Sequence, residues 1–155
     1  MSTRTIAGTA VASVLGADCL MHLFWAVTGS PWPAASHRAL SAGLLNAQVP
    51  FSPPVLLPLA ALLLGAALLV SARAGLLGRL GRLLPTGLGT AGVLVLAAGL
   101  AVRAAAGLVW IATAERGTPF WWLNLFAYTP ACLGLVAACA VVLRPGRPGP
   151  DTVAG

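Results

Sequence analysis

The sequence predicts an all-α integral membrane protein, a bundle of four membrane-spanning helices. Three observations carry this expectation. Hydrophobic residues make up 59% of the 155-residue chain and charged residues only 8%, whereas an ordinary soluble domain is nearer a quarter charged. That leaves too little polar surface to cover a soluble core, and a chain this apolar is not a disordered one either. Four apolar runs, at about 5–28, 53–72, 87–113 and 124–143, can each cross roughly 30 Å of hydrocarbon as a helix. None alternates polar and apolar residues as a membrane strand would.

The first run follows Arg4 and ends at Trp25 and Thr28 without a small-residue cleavage pattern, so it reads as a retained helix and not as a signal peptide. Asp18 immediately before Cys19 argues against a lipoprotein cleavage site. The connection 29–52 is long for a bundle. It opens with Ser30-Pro31-Trp32-Pro33 and closes with Val49-Pro50-Phe51. Between them, Ala34 to Gln48 fits a short helix lying on the outer surface with Leu40 and Leu44 facing down, either a lid or an inert interfacial helix. The second run, Val55 to Val70, holds no ionisable residue and reads as scaffold. The third carries Gly89, Gly92, Gly99 and Gly107, small residues that let neighbouring helices approach closely. After the fourth run, residues 145–155 are rich in Pro and Gly and are expected to be a disordered cytoplasmic tail, leaving 1–144 as a single transmembrane domain.

All nine basic residues are arginines, against three acidic residues, for a net charge of +6. No basic stripe is interleaved with aromatics for base stacking, so nucleic acid is not the expected partner. Arg4, Arg73, Arg79, Arg82, Arg144 and Arg147 fall on one side of a four-span chain, and Arg38 and Arg116 on the other. The positive-inside rule then puts both termini in the cytoplasm. Trp25, Trp32, Trp110, Trp121 and Trp122 all fall at the outer ends, as an aromatic belt requires. Arginine without lysine, amid abundant Ala and Gly, points to a GC-rich genome and hence to a multi-pass protein of a bacterial plasma membrane, in contact with membrane lipid.

Three cysteines, Cys19, Cys132 and Cys139, include no C-x-x-C pair, which removes dithiol chemistry and leaves buried small hydrophobes. The chemistry-bearing residues are those inside the spans: Asp18, His22 and Arg103. A charged group at the centre of a membrane helix costs about 2.5–3.5 kcal/mol or more and normally faces a bundle interior or a wet cavity. At about 1.5 Å rise per residue the three share one layer, near and just outside the midplane. Asp18 and His22 are an i, i+4 pair whose stripe continues to Trp25; Arg103, Gly107 and Trp110 repeat the spacing on span three, and Asn124, Tyr128 and Cys132 form a third stripe. Pointed at one another, these stripes enclose a cavity with a carboxylate, an imidazole and a guanidinium at its floor. The competing expectation is an Asp18–Arg103 ion pair that only fixes helix register. A proton pathway lacks an acidic relay in the inner halves, and one His with one Asp falls short of the ligands a stable metal site needs, so neither metal nor cofactor is expected. Glu115 beside Arg116 reads as a solvated pair.

Several stretches taken together carry a resemblance. They are His22-Leu23-Phe24-Trp25-Ala26, the approach to span two from Pro50 to Pro54, Arg103-Ala104, Gly117-Thr118 with Phe120, and Tyr128-Thr129-Pro130 with Cys132. This ordered set, over about 15–143, resembles an uncharacterised bacterial family of small four-span membrane proteins with a His-x-x-Trp first helix, catalogued only as a domain of unknown function. The resemblance implies the fold and no activity. It also implies an aspartate soon after the span-three arginine, where this chain has Gly107 and Leu108, and another at Asn124; Asp18 is not part of the pattern.

The leading functional expectation is a membrane enzyme doing acid–base chemistry, an isomerisation or cyclisation, on a lipophilic, isoprenoid-like small molecule in the outer half of the bilayer. Asp18 is the candidate proton donor, since a carboxylic acid in a low-dielectric cavity stays protonated near neutrality. His22 positions it or takes the proton back, and Arg103 tunes it or holds a substrate oxygen. Trp25, Trp110, Phe120, Trp121, Asn124 and Tyr128 are the candidate substrate-binding residues, with aromatic faces for developing positive charge. The alternatives are a non-enzymatic ligand binder or accessory subunit, and a small exporter working as a homo-oligomer.

Overall fold

The computed structural model describes residues 1–81 and 83–144. The expected tail 145–155, with Arg147 and Asp151, and Arg82 lie outside the described residues. Within them the chain is helical and no strand is present. Four helices are long and apolar enough to cross a membrane.

The first, α1 (Thr3–Thr28), starts where the Ser2 hydroxyl accepts the Thr5 N–H and stops at Gly29, whose positive φ of 61° closes the last turn. A short helix, α2 (His37–Leu45), follows in the long connection, capped by the Ser36 hydroxyl and terminated by Asn46 in the left-handed conformation. The second span, α3 (Pro53–Arg73), opens on two prolines, whose missing N–H groups lie where a helix leaves its donors unused. A single turn, α4 (Gly78–Gly81), leads to the third span, α5 (Thr86–Thr113).

The fourth span begins earlier than the hydrophobic run at 124. Thr118 caps a turn, α6 (Pro119–Leu123), which continues through a π-helical turn (Asn124–Tyr128) into α7 (Thr129–Leu143). The Thr129 N–H reaches back five residues to the Asn124 carbonyl. Pro130, having no N–H, cannot donate to the carbonyl of Phe126, so the α ladder is already interrupted there.

Consecutive spans run antiparallel. Arg4 donates to the Arg73 carbonyl, joining the start of α1 to the end of α3, and the Arg73 Nε–H donates to Thr90 near the start of α5 at 3.3 Å. Around the bundle α1 packs on α3 and α7, and α5 on α3 and α7. At the arginine-bearing end the four helices close on Val11, Leu15, Val70, Val93, Cys139 and Val142, all buried. Glycine makes this possible: a Cβ at Gly8 would overlap Ala74, and one at Gly92 would overlap the Leu69 side chain. At the opposite end, where the tryptophans lie, the buried cluster is smaller, Trp25 with Leu40 and Leu56. The spans diverge there, and α2 is laid across them and against α6.

Candidate functional site

The divergence leaves a cavity of about 620 Å³. One wall is α1, through Asp18, Met21, His22 and Trp25; another is α3, through Val55, Leu56 and Leu59. The short helix α2 supplies Leu40, Gly43 and Leu44, and Arg103, Leu123 and Tyr128 come from the α5–α7 side. Its lining is predominantly apolar, with few polar groups, as in ligand pockets generally.

The expected i, i+4 pair is present. His22 Nδ1 lies 2.8 Å from the Asp18 carbonyl oxygen and 3.4 Å from Asp18 Oδ1. The carbonyl can only accept, so Nδ1 carries a proton, and in the neutral ring Nε2 is the lone-pair nitrogen. The His22 side chain is 13% exposed and Asp18 52%, both on the cavity wall. The imidazole meets the Trp25 ring edge to face at 5.4 Å, and the Trp25 Nε1–H donates to the Trp32 carbonyl at 2.7 Å, which fixes the ring.

Arg103 lies on the same cavity, but it does not pair with Asp18. Among the described residues the Asp18 carboxylate lies within 4 Å of the His22 imidazole and of no arginine. Arg103 Nη2 instead donates to Asn124 Oδ1 at 2.9 Å, and its guanidinium lies over the rings of Trp110 and Tyr128, at 4.9 and 5.4 Å. Asn124 is fully buried and its amide donates to the Phe120 carbonyl at 2.8 Å. The reason is rotational. The π turn brings Asn124 onto the α5-facing side of the span, so the fourth span takes the guanidinium and the Asp18 stripe of α1 faces the cavity without it.

The nine residues picked from sequence therefore divide. Asp18, His22, Trp25, Arg103 and Tyr128 line the cavity. Asn124 and Trp110 stand behind Arg103 and hold it, with Phe120 packed on Trp110 at 5.3 Å. Trp121 is tied to the Ile111 carbonyl at 3.0 Å and meets Trp122 edge to face, away from the cavity. Sequence reading missed Thr129, whose hydroxyl is buried without a hydrogen-bond partner beside Gly107, and Ser41. The Ser41 hydroxyl donates to the Ala47 carbonyl at 2.6 Å and accepts the Val49 N–H at 2.8 Å, pinning the chain after α2. A lone serine in an apolar helix gave no signal for this. Among the described residues no cluster of His, Cys, Asp or Glu could hold a metal ion.

Four antiparallel helices, each long and apolar enough to cross a membrane, with a polar pair and a guanidinium on an apolar cavity at one end, define the molecule as a small four-span membrane protein. Its residues 15–140 match the model of a family described as "Protein of unknown function (DUF3995)", and the chain belongs to that family. No curated protein and no solved structure matches it. Of the positions at which the resemblance implies an aspartate, Asn124 accepts from Arg103 Nη2, and at the Gly107–Leu108 position a Cβ on Gly107 would lie 3.3 Å from Nη1.

Proposed function

We propose that this chain, in a bacterial plasma membrane with its arginine-rich end toward the cytoplasm, binds a lipophilic molecule bearing a polar, oxygen-containing end and isomerises or cyclises it by proton transfer. The observation supporting this is the meeting of the His22–Asp18 pair and Arg103 on one largely apolar cavity. Binding comes from the apolar wall, and the polar end is oriented by few groups.

The tautomer exchanges the roles expected for the pair. With Nδ1 protonated, Nε2 of His22 is the base that removes a proton from the substrate and returns it at a second carbon, so no co-reactant is consumed. The Asp18 carboxylate, 3.4 Å from Nδ1, faces the imidazolium formed in between. Arg103 donates to the substrate oxygen as negative charge develops on it. Trp25 and Tyr128 form the aromatic wall, while Asn124, Trp110 and Phe120 keep the guanidinium in place.

The test starts with mass spectrometry of lipids and metabolites that co-purify with the intact protein, followed by turnover of the molecule found. His22→Gln should retain the molecule and lose turnover, and Asp18→Asn should slow it at least tenfold. Undiminished turnover in His22→Gln removes the acid–base reading. A second reading, a binder that does not transform its ligand, draws support from the commitment of the Arg103 guanidinium to Asn124 and two aromatic rings; it predicts a retained molecule recovered unchanged from every variant.

A further inference from the structure

Arg4 and Arg73 meet at the closed end of the bundle, far from the cavity. Arg4 donates to the main-chain carbonyl of Arg73, and Gly8 explains the approach: it lies one turn along α1 from Arg4 and packs directly on Ala74. Arg73 in turn runs beside Gly89, where a Cβ would sit 3.8 Å from its own Cβ, and donates to Thr90. Between them lies a cleft of about 140 Å³, lined by both arginines with Ala72, Leu84, Pro85 and Gly89. Arg4 Nε is buried at this place and has no hydrogen-bond partner among the described residues.

The local charge does not balance. Among the described residues no carboxylate lines the cleft; Asp18 is on the cavity at the other end and Glu115 follows the end of α5. The C-terminal carbonyls of α3 supply about half a negative charge, and the N-terminus of α5 contributes about half a positive one, so these cancel. Two guanidiniums remain unopposed by any carboxylate of the described residues at this end of the bundle. At about 30 Å³ per water the cleft takes a phosphate-sized group and its nearest water, and not an acyl chain.

We infer that this cleft is a phosphate-oxyanion site, seating either the headgroup phosphate of an anionic phospholipid or a free phosphate between Arg4 and Arg73. Guanidinium forks suit phosphate oxygens, and basic clefts between membrane helices at the surface are where headgroups bind. The site is separate from the cavity and does not depend on any activity there.

The experiment uses the full chain in a mild detergent, titrated with short-chain phosphatidylglycerol, short-chain phosphatidylcholine or inorganic phosphate, with thermal unfolding and native mass spectrometry as readouts. Phosphatidylglycerol should raise the unfolding temperature and appear as one retained adduct, and phosphatidylcholine should not. Arg4→Gln or Arg73→Gln should each weaken the adduct about fivefold, while Arg144→Gln, which removes an exposed arginine at the end of α7 that does not line the cleft, should leave it unchanged. Competition of the adduct by inorganic phosphate identifies the oxyanion alone as the ligand; binding of phosphatidylglycerol without such competition identifies the lipid headgroup. Should the glutamine variants fail to fold, Arg4→Lys keeps the charge and should keep the adduct at reduced affinity. An adduct equally strong in both glutamine variants, or a wild-type chain indifferent to phosphatidylglycerol over phosphatidylcholine, overturns the assignment.

Discussion

Replacing Asn124 with leucine should unseat Arg103, and the structure sets the size of the effect. A charged group at the centre of a membrane helix costs about 2.5–3.5 kcal/mol. Against this stand one hydrogen bond of a charged donor, from Nη2 to Asn124 at 2.9 Å, worth about 1.5–3 kcal/mol. Two aromatic faces at 4.9 and 5.4 Å add about 0.5–1 kcal/mol each. The sum is close to zero, so Arg103 is held with little to spare. Asn124→Leu removes the largest favourable part and should destabilise the protein by about 2 kcal/mol. In an Arg103→Leu background the same change should cost under about 0.5 kcal/mol, since no cation is left to strand. The measurement is a double-mutant cycle by reversible unfolding in mixed micelles. Neutral polar pairs in a membrane protein couple by about 0.6 kcal/mol on average. A coupling at or below that value would show that the Arg103–Asn124 bond is not what stabilises the buried charge.

Three further outcomes follow from packing. Gly107→Ala drives a Cβ into the Thr129 hydroxyl and should cost about 1–3 kcal/mol; Thr129→Ala alone, which removes a buried hydroxyl without a partner, should be neutral or stabilising and should recover part of the loss in the double variant. Gly8→Ala, which would overlap Ala74, should lower the unfolding temperature, whereas Gly99→Ala, with open space around it, should gain up to about 1 kcal/mol of helix propensity. Ser41→Ala removes both bonds that pin the chain after α2 and should raise hydrogen exchange and proteolysis at 46–50 without altering the spans.

The spans were legible because length and composition determine them. A run such as Val55 to Val70 has no other low-energy state in hydrocarbon than a helix. The caps were less so. Hydropathy alone puts the start of the fourth span at 124, where the apolar run starts, while the helix begins at Pro119 because the Thr118 hydroxyl meets the Trp121 N–H at 3.2 Å. A threonine before a proline is a recognisable start signal, but hydropathy outweighed it. The connecting helix was placed between Ala34 and Gln48 with Leu40 and Leu44 inward, and the chain forms His37–Leu45 with Leu40 buried and Leu44 packed on the same cluster.

The site was legible along each helix and illegible between helices, and the difference is physical. The i, i+4 spacing of Asp18 and His22 is a property of one helix, so their contact could be read directly. Which stripe faces which depends on the rotation of each helix about its axis, and for nearly uniform apolar helices no polar face fixes that rotation. Here small residues and the π turn decide it. Gly107 lets α7 come close enough for Thr129 to touch it, and the turn at Asn124–Tyr128 swings the amide of Asn124 onto Arg103. Among the described residues Asp18 thereby has its own histidine, and no arginine, as its ionisable partner. The carboxylate and the guanidinium, each sufficient to neutralise the other, are held on one cavity without touching. The Asp18–Arg103 ion pair that would have fixed helix register is not formed, and register between α1 and the rest of the bundle falls to the packing of small residues such as Gly8 on Ala74.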